Sequence, residues 1–388
     1  MAELNETPSG SRVHIAFFGL RNAGKSTLVN EFVGQEVAIV SDVAGTTTDP
    51  VSKAMEIAPL GPCLVTDTAG LDDEGPLGEE RVRRSLEVLE KTDVAVWVDG
   101  GGDGGPDAER RFQAACAARN VPTFRFRRGD SAEALKEKIA RLNLADAQRP
   151  LVSDLVSPGD MVACVCPIDE SAPKGRLILP QQQVVRELLD GGCSAVVCQP
   201  AQLAAVIERC GGALRFVVTD SQAFGAVARV VPQDLPLTSF SIVFARAKGD
   251  LAEYCAGAEA MGRLKDGDRV LVAEGCTHRR QCADIGTVKL PAWIRGYSGR
   301  SLDFDFCSGG SFPDDLSPYA LVVQCGGCML TRRAVLARIE RCRAAGVPIV
   351  NYGIAIAACH GIHASPDTCM VRRGAEVGQP VGGGREQR

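Results

Sequence analysis

Apolar runs and amphipathic stretches alternate from the start of the chain. "VHIAFFG" is an unbroken apolar run of strand length, and "GKSTLVNEFVG" after it carries apolar positions at helical spacing. "PCLVTDTAG" and "DVAVWVDG" repeat the strand pattern, while "EERVRRSLEVLEKT" and "ALKEKIARLNL" repeat the helical one. Such alternation predicts a mostly parallel sheet with helices on both faces. "ADAQRPLVSDLVSPGD" reads as a linker. The alternation then resumes. "MVACVCPI", "SAVVCQP" and "LRFVVTD" are short buried strands, separated by the helices "QQQVVRELLDGG" and "AQLAAVIERCGG", each ending in glycines suited to a C-cap. A third unit follows "LTSFSIVFARAKGD", with strands "DRVLVAEGC", "LDFDFC" and "YALVVQC" and a strong helix in "TRRAVLARIERCRAAG". Beyond about Ser365 the chain is rich in glycine and charge, and a disordered tail is expected.

Composition narrows the class. A chain of 388 residues with 45% hydrophobic residues can bury the cores of two or three domains. A formal charge of -5 argues against nucleic-acid binding driven by bulk charge. No apolar run reaches the ~20 residues of a membrane span. The polar start "MAELNETPSGSR" lacks the apolar centre of a signal peptide, so a cytoplasmic location is expected. There, sixteen cysteines are not expected to form structural disulfides. Many of them, such as Cys164 and Cys166, read as small buried hydrophobes.

Chemistry enters first at "GLRNAGKS", which fits G-x-x-x-x-G-K-S/T between a strand and a helix, the setting the motif requires. Gly19, Ala23 and Gly24 let backbone N–H groups wrap phosphates, Lys25 offers charge to the β- and γ-phosphates, Ser26 offers a hydroxyl to Mg²⁺, and Thr27 continues the turn. "DTAG" ends the next strand. Asp67 is placed to act on Mg²⁺, usually through water, and the Gly70 N–H to sense the γ-phosphate. Between them lies "GTTTDP", where a first switch belongs; Thr47 is the choice for the Mg²⁺-sensing hydroxyl, with Thr46 and Thr48 as alternatives. The set resembles the translation-factor-related GTPases, nearest the branch with G-x-x-N-x-G-K-S loops. In that branch the loop asparagine helps hold a potassium ion, and Asn22 occupies its position, a turn or cap role being the alternative. Guanine is normally read by N-K-x-D. Here Asp130 stands where that carboxylate belongs, but Arg127 and Arg128 replace the Asn and Lys, and "SAEALKEKI" follows at once. The domain therefore reads as shortened, with a weak or base-indifferent nucleotide site as one expectation.

The second constellation is made of thiols. Cys276 follows "RVLVAEG", Cys325 follows "ALVVQ", and Cys328 is three further on in "QCGGC". Ligands of α/β sheets bind beyond the carboxyl ends of strands, so two adjacent strands ending in cysteines can bring three sulfurs together. Three thiolates with an open position suit a soft metal or an iron–sulfur cluster, and zinc would want a fourth firm ligand such as His278. Redox-active or merely buried thiols remain the alternatives.

Long runs outside the phosphate loop carry a family resemblance. "GTTTDPVSKAMEI", "PIDESAPKGRLILPQQQ", "LTSFSIVFARAKGDL", "EGCTH", "DIGTVKLPAWI", "QCGGCML" and "GVPIVNYGIAI" make the chain, from about His14 to His360, resemble HydF, the maturation GTPase of iron-only (FeFe) hydrogenase. The resemblance implies an α/β chain with a P-loop GTPase domain over 1–148, a dimerisation domain over 149–238, a cluster-binding domain over 239–365 and a tail over 366–388. It implies a scaffold that holds a 4Fe–4S cluster on Cys276, Cys325 and Cys328. The scaffold would receive a di-iron precursor assembled with two radical-SAM partner enzymes and deliver it to apo-hydrogenase. GTP and Mg²⁺ are the implied cofactors, with slow GTP hydrolysis, K⁺ activation through Asn22, and a homodimer. The family pattern C-x-H … H-C-x-x-C gives His278, whereas its second histidine is Gln324 here; His278 and Cys282 are the candidates for a fourth cluster contact. Asp169, Glu170 and Lys174 read as part of an exposed connection in the dimer region. The alternative function is a nucleotide-independent iron–sulfur scaffold with a degenerate GTPase domain.

Overall fold

The computed structural model describes residues 7–34, 50–71, 76–100, 105–144, 149–168, 175, 177–275, 285–309 and 311–373. The chain forms two compact units, Met1–Arg149 with Met329–Ala337, and Pro150–Cys328 with Arg338–Arg388.

The first unit is built on a five-stranded sheet. Its elements in chain order are β1 (Val13–Gly19), α1 (Lys25–Val33), β2 (Val51–Ile57), β3 (Gly61–Asp67), α2 (Pro76–Glu90), β4 (Val94–Asp99), α3 (Gly105–Ala118), β5 (Thr123–Arg127) and α4 (Ala132–Ala140). The sheet order is β2-β3-β1-β4-β5, parallel except for β2 against β3. Every residue of β1 is buried, because both faces of this central strand are covered. Ile15 and Phe17 join Val29, Phe32 and Ile139 on one side, where Phe17 meets Phe32 edge-on at 5.3 Å. Ala16 and Phe18 face the other side, with Phe112 5.0 Å from Phe18 and 5.2 Å from Trp97. The chain leaves β1 with β3 on one side and β4 on the other, so a crevice opens beyond β1 where the phosphate loop lies.

The second unit holds two sheets. The first part runs β6 (Met161–Val165), α5 (Leu179–Asp190), β7 (Ser194–Cys198), α6 (Leu203–Cys210), β8 (Leu214–Thr219), α7 (Phe224–Val230), β9 (Leu237–Ser239), α8 (Phe240–Lys248) and α9 (Leu251–Met261). Next come β10 (Arg269–Glu274), α10 (Leu290–Ser298), β11 (Asp303–Ser308), β12 (Leu321–Gln324), α11 (Arg332–Ala345, whose residues up to Ala337 are counted with the first unit), β13 (Ile349–Asn351), α12 (Tyr352–Cys359), β14 (Ile362–Ala364) and β15 (Val371–Arg373). Strands β10 to β13 form a parallel sheet of order β11-β10-β12-β13. The other sheet has the order β14-β15-β9-β8-β6-β7. Its parallel part, β9-β8-β6-β7, has the same wiring: the first strand is followed by a neighbour on one side, then by two on the other.

Two expectations are corrected here. The tail does not begin at 366: Val371–Arg373 is β15, paired antiparallel with β14 and with Leu237 of β9, and the Thr238 hydroxyl donates to the Cys369 carbonyl at 2.7 Å. A glycine-rich, charged composition hid a strand whose partner lies more than a hundred residues upstream. The stretch read as a linker is also docked in part. Leu151 and Val152 are buried, and the N–H groups of Leu151, Val152 and Ser153 all donate to the Glu187 carboxylate of α5 at 2.8–3.0 Å.

Candidate functional sites

The phosphate loop forms where β1 must turn into α1. Gly19 is pressed against β4, where a Cβ would meet the Val98 carbonyl oxygen at 2.5 Å. Asn22 and Gly24 both take left-handed backbone conformations, at φ 59° and 88°, which asparagine and glycine tolerate best. The Lys25 ammonium is buried and donates to the carbonyls of Leu20 at 2.7 Å and Gly19 at 3.3 Å. Ser26 Oγ donates to Asp67 Oδ2 at 2.6 Å, so the two residues expected at Mg²⁺ are in direct contact. Asp67 is fully buried and, among the described residues, its Oδ1 has no hydrogen-bond partner. Burial pushes this carboxyl up, against the pull of Ser26 and Lys25. An orphaned buried carboxylate oxygen beside a serine hydroxyl fits a hard cation such as Mg²⁺. Gly70 is buried just beyond β3. Thr47, with Thr46 and Thr48, lies outside the described residues.

Asp130 has a local role. Its Oδ2 accepts from the Arg127 N–H at 2.7 Å, and its own N–H donates to the Arg127 carbonyl at 3.0 Å, closing a tight turn through Gly129 at φ 97°. Ser131 caps α4 directly after it, accepting from the Ala134 N–H at 3.2 Å. Arg127 and Arg128 are exposed. The region expected to read guanine is thus a short turn into a helix packed on α1.

The thiol crevice lies at the carboxyl ends of β10 and β12, the adjacent strands where the wiring reverses. The Cys325 N–H donates to the Ala273 carbonyl at 3.0 Å, which seats the C-G-G-C loop on β10. Cys325 Sγ accepts from two backbone N–H groups, Gly275 at 2.9 Å and Gly327 at 3.4 Å. Gly327 turns at φ 66°, and a Cβ on Gly326 would lie 3.2 Å from Ser241 Oγ. The loop carbonyls are held as well. Asn351 Nδ2 donates to the Cys325 carbonyl at 3.3 Å, and Lys248 Nζ to the carbonyls of Gly327 at 3.1 Å and Cys328 at 3.2 Å. Lys248 is buried beside the Phe244 ring. Burial pushes its ammonium down to about 8, against the pull of Cys328 and Cys325. A second cation, Arg338, is 5% exposed, donates Nη2 to the Gly309 carbonyl at 2.7 Å, and has no hydrogen-bond partner at Nη1 among the described residues. Its neighbours include Cys325 and Cys307. Burial raises the Cys325 thiol, while the two N–H donors and Arg338 oppose that rise. Two N–H donors on one sulfur and two buried cations nearby suit a thiolate-bound metal, whose ligands are anionic.

Cys276 follows Gly275 but lies outside the described residues, as do His278, Cys282, Asp169, Glu170 and Lys174. Among the described residues, no group of three metal-binding side chains is assembled. Gln324 is settled by the structure. Its side chain is buried and donates to the Tyr254 hydroxyl at 3.3 Å, so it turns into the core. Lys248, Arg338, Asn351 and Ser241 were not picked out from the sequence. The signal available was a lysine ending a helix most of whose residues are apolar. Cys307 stands on β11 in register with Ala273, and His360 packs edge-on to Trp293 at 6.1 Å.

Comparison with known proteins places the first unit in a class. A family model described as 50S ribosome-binding GTPase matches residues 14–122, ending before the Arg127–Asp130 turn. The chain is 46% identical over 99 residues to GTPase Der of Wolinella succinogenes, covering 25% of this chain and 20% of that one. It is 40% identical over 104 residues to tRNA modification GTPase MnmE of a Methylobacterium species, covering 25% and 24%. The chain thus spans about a fifth to a quarter of the length of these relatives. A structure of an Era variant from Aquifex aeolicus bound to GDP and AlF4⁻ aligns with 86% of this chain and 98% of that one, at 17% identity and a TM-score of 0.27. The first unit is a P-loop GTPase-type domain. Two further models cover the rest of the chain: the hydrogen maturase F dimerization domain over residues 151–249 and the hydrogen maturase F tetramerization domain over residues 252–365. The chain belongs to the HydF family. No helix among the described residues is long and apolar enough to cross a membrane.

Proposed function

We propose that this chain is a nucleotide-dependent scaffold of FeFe-hydrogenase maturation, holding a 4Fe–4S cluster at the thiol crevice and carrying a di-iron precursor as cargo. The observation that carries the reading is the pair of N–H groups aimed at Cys325 Sγ, one of them from the residue just before Cys276. Cys276, Cys325 and Cys328 supply three thiolates, and the cluster, when bound, supplies an iron with an exchangeable position. The remaining work falls to this chain's own residues. The Gly275 and Gly327 N–H groups stabilise negative charge on Cys325, while Asn351 and Lys248 fix the loop carbonyls. Gln324, turned to Tyr254, withholds a ligand at the family's second histidine position. His278 and Cys282 are the candidates for a replaceable fourth contact.

GTP and Mg²⁺ belong at the phosphate loop, with Lys25 on the phosphates, Ser26 and Asp67 on the metal, and Asn22 toward K⁺. Slow hydrolysis there would switch a partner surface. Two radical-SAM maturases and apo FeFe-hydrogenase are the proposed partners and the cytoplasm the proposed location, and the names of the matched domains support a dimer or tetramer. The division into GTPase, dimerisation and cluster-binding domains at 148, 238 and 365 is part of this proposal. Anaerobic iron and sulfide analysis tests it: four irons per chain are expected, and a Cys276, Cys325, Cys328→Ala variant that keeps them overturns the assignment.

A second reading, a nucleotide-independent scaffold, is favoured by the Asp130 carboxylate closing on Arg127 and by the GTPase match ending at 122. Calorimetry decides between the two. No heat with GTP, GDP or ATP at millimolar concentration selects the second.

A further inference from the structure

A lysine at the end of a helix ordinarily reaches back to that helix's last carbonyls or out to water. Lys248, the last residue of α8, does something else. Its ammonium is buried and donates to two consecutive carbonyls about eighty residues away in sequence, those of Gly327 and Cys328. Burying an ammonium is costly unless polar and anionic groups offset it. Two carbonyl dipoles and the face of Phe244 do part of this. On the same turn the Gly327 N–H donates to Cys325 Sγ. The lysine thus holds the Gly327 and Cys328 carbonyls while the sulfur holds the N–H of the peptide unit just before them.

We propose that Lys248 is a positioning residue of the thiol site: it holds the C-G-G-C loop in the shape that presents Cys325 and Cys328 to one metal core, and it keeps a positive charge behind those ligands. This rests on the scaffold reading above. A geometric role predicts faster metal loss without the lysine. A charge role predicts harder reduction of the bound cluster, because removing a nearby cation destabilises the more negative state.

The test uses the full chain, loaded anaerobically with iron and sulfide, with folding followed by circular dichroism. Lys248→Met keeps the volume and removes both donors and charge. It should release iron to a chelator about ten- to a hundredfold faster than the parent, the usual effect of losing an outer-shell partner. Its midpoint potential, followed by electron paramagnetic resonance, should move to more negative values. Lys248→Arg should return both towards the parent. If the Met variant does not fold, Lys248→Gln, which keeps an amide donor without charge, is read in its place, with the shift in potential as its expectation. Release and potential unchanged from the parent in the folded variant overturn the inference. A parent that binds no iron overturns the scaffold reading, and this inference with it.

Discussion

The second unit contains the same wiring twice, and the two crevices it creates differ in what fills them. Beyond β6 and β8 the crevice is closed by ordinary polar chemistry. Gln181 Nε2 donates to the Asp220 carboxylate at 2.7 Å, both residues are buried, and Gln181 Oε1 caps the entry to α5 by accepting from the Ile178 N–H at 3.0 Å. Beyond β10 and β12 the corresponding place holds a sulfur that accepts two backbone N–H bonds, with buried cations nearby. One crevice satisfies its own polar groups. The other concentrates donors and positive charge around thiols. A shared strand order creates the opening, and the residues at the strand ends decide its use.

The largest effect should come from removing the sulfurs. Cys325→Ala alone is expected to abolish stable iron binding, read as iron per chain after gel filtration; parental iron content would mean that the two crevices do not differ in kind. Next is Gly257→Ala. A Cβ there would sit 1.9 Å from the Ile349 carbonyl, forcing α9 off β13. A loss of about 3 kcal/mol in urea unfolding is expected, at the upper end for overpacking. Gln181→Leu should cost about 1–3 kcal/mol by leaving a buried carboxylate short of a donor, while iron content stays at the parental value. A fall in iron would show that the β6/β8 crevice serves the metal after all. The smallest effect is expected for Gln324→Leu. Gln324 Oε1 is already buried without a partner among the described residues, so losing the amide should shift stability by less than about 1 kcal/mol and leave iron unchanged. Halved iron content would make Gln324 a ligand.

Much of this was readable in the chain. The phosphate loop, α1 and the strands at Val13–Gly19, Gly61–Asp67 and Val94–Asp99 fall where apolar runs and glycines put them. The adjacency of β10 and β12, which carries the thiol site, followed from the general habit of parallel sheets. What stayed hidden depends on contacts distant in sequence. Val51–Ile57 alternates like a strand but carries Ser52, Lys53 and Glu56 at a sheet edge. Pairing of β15 with β9 has no local signature, and neither does the reach of Lys248 to the cysteine loop. The direction of Gln324 is different, because strand periodicity sets it opposite to its neighbours. The period-two rule and the Tyr254 hydroxyl turn the glutamine inward.

The return of β14 and β15 to β9 means that the thiol-bearing fold is spliced into the middle of another one. A ribosome emits β9 long before its partner β15, with the whole thiol-bearing segment in between. The older sheet must therefore wait, one edge incomplete, until that insert has been made. A chain broken anywhere inside the insert can never complete the seam at Thr238 and Cys369. β15 thus closes the older sheet only after the insert has been made.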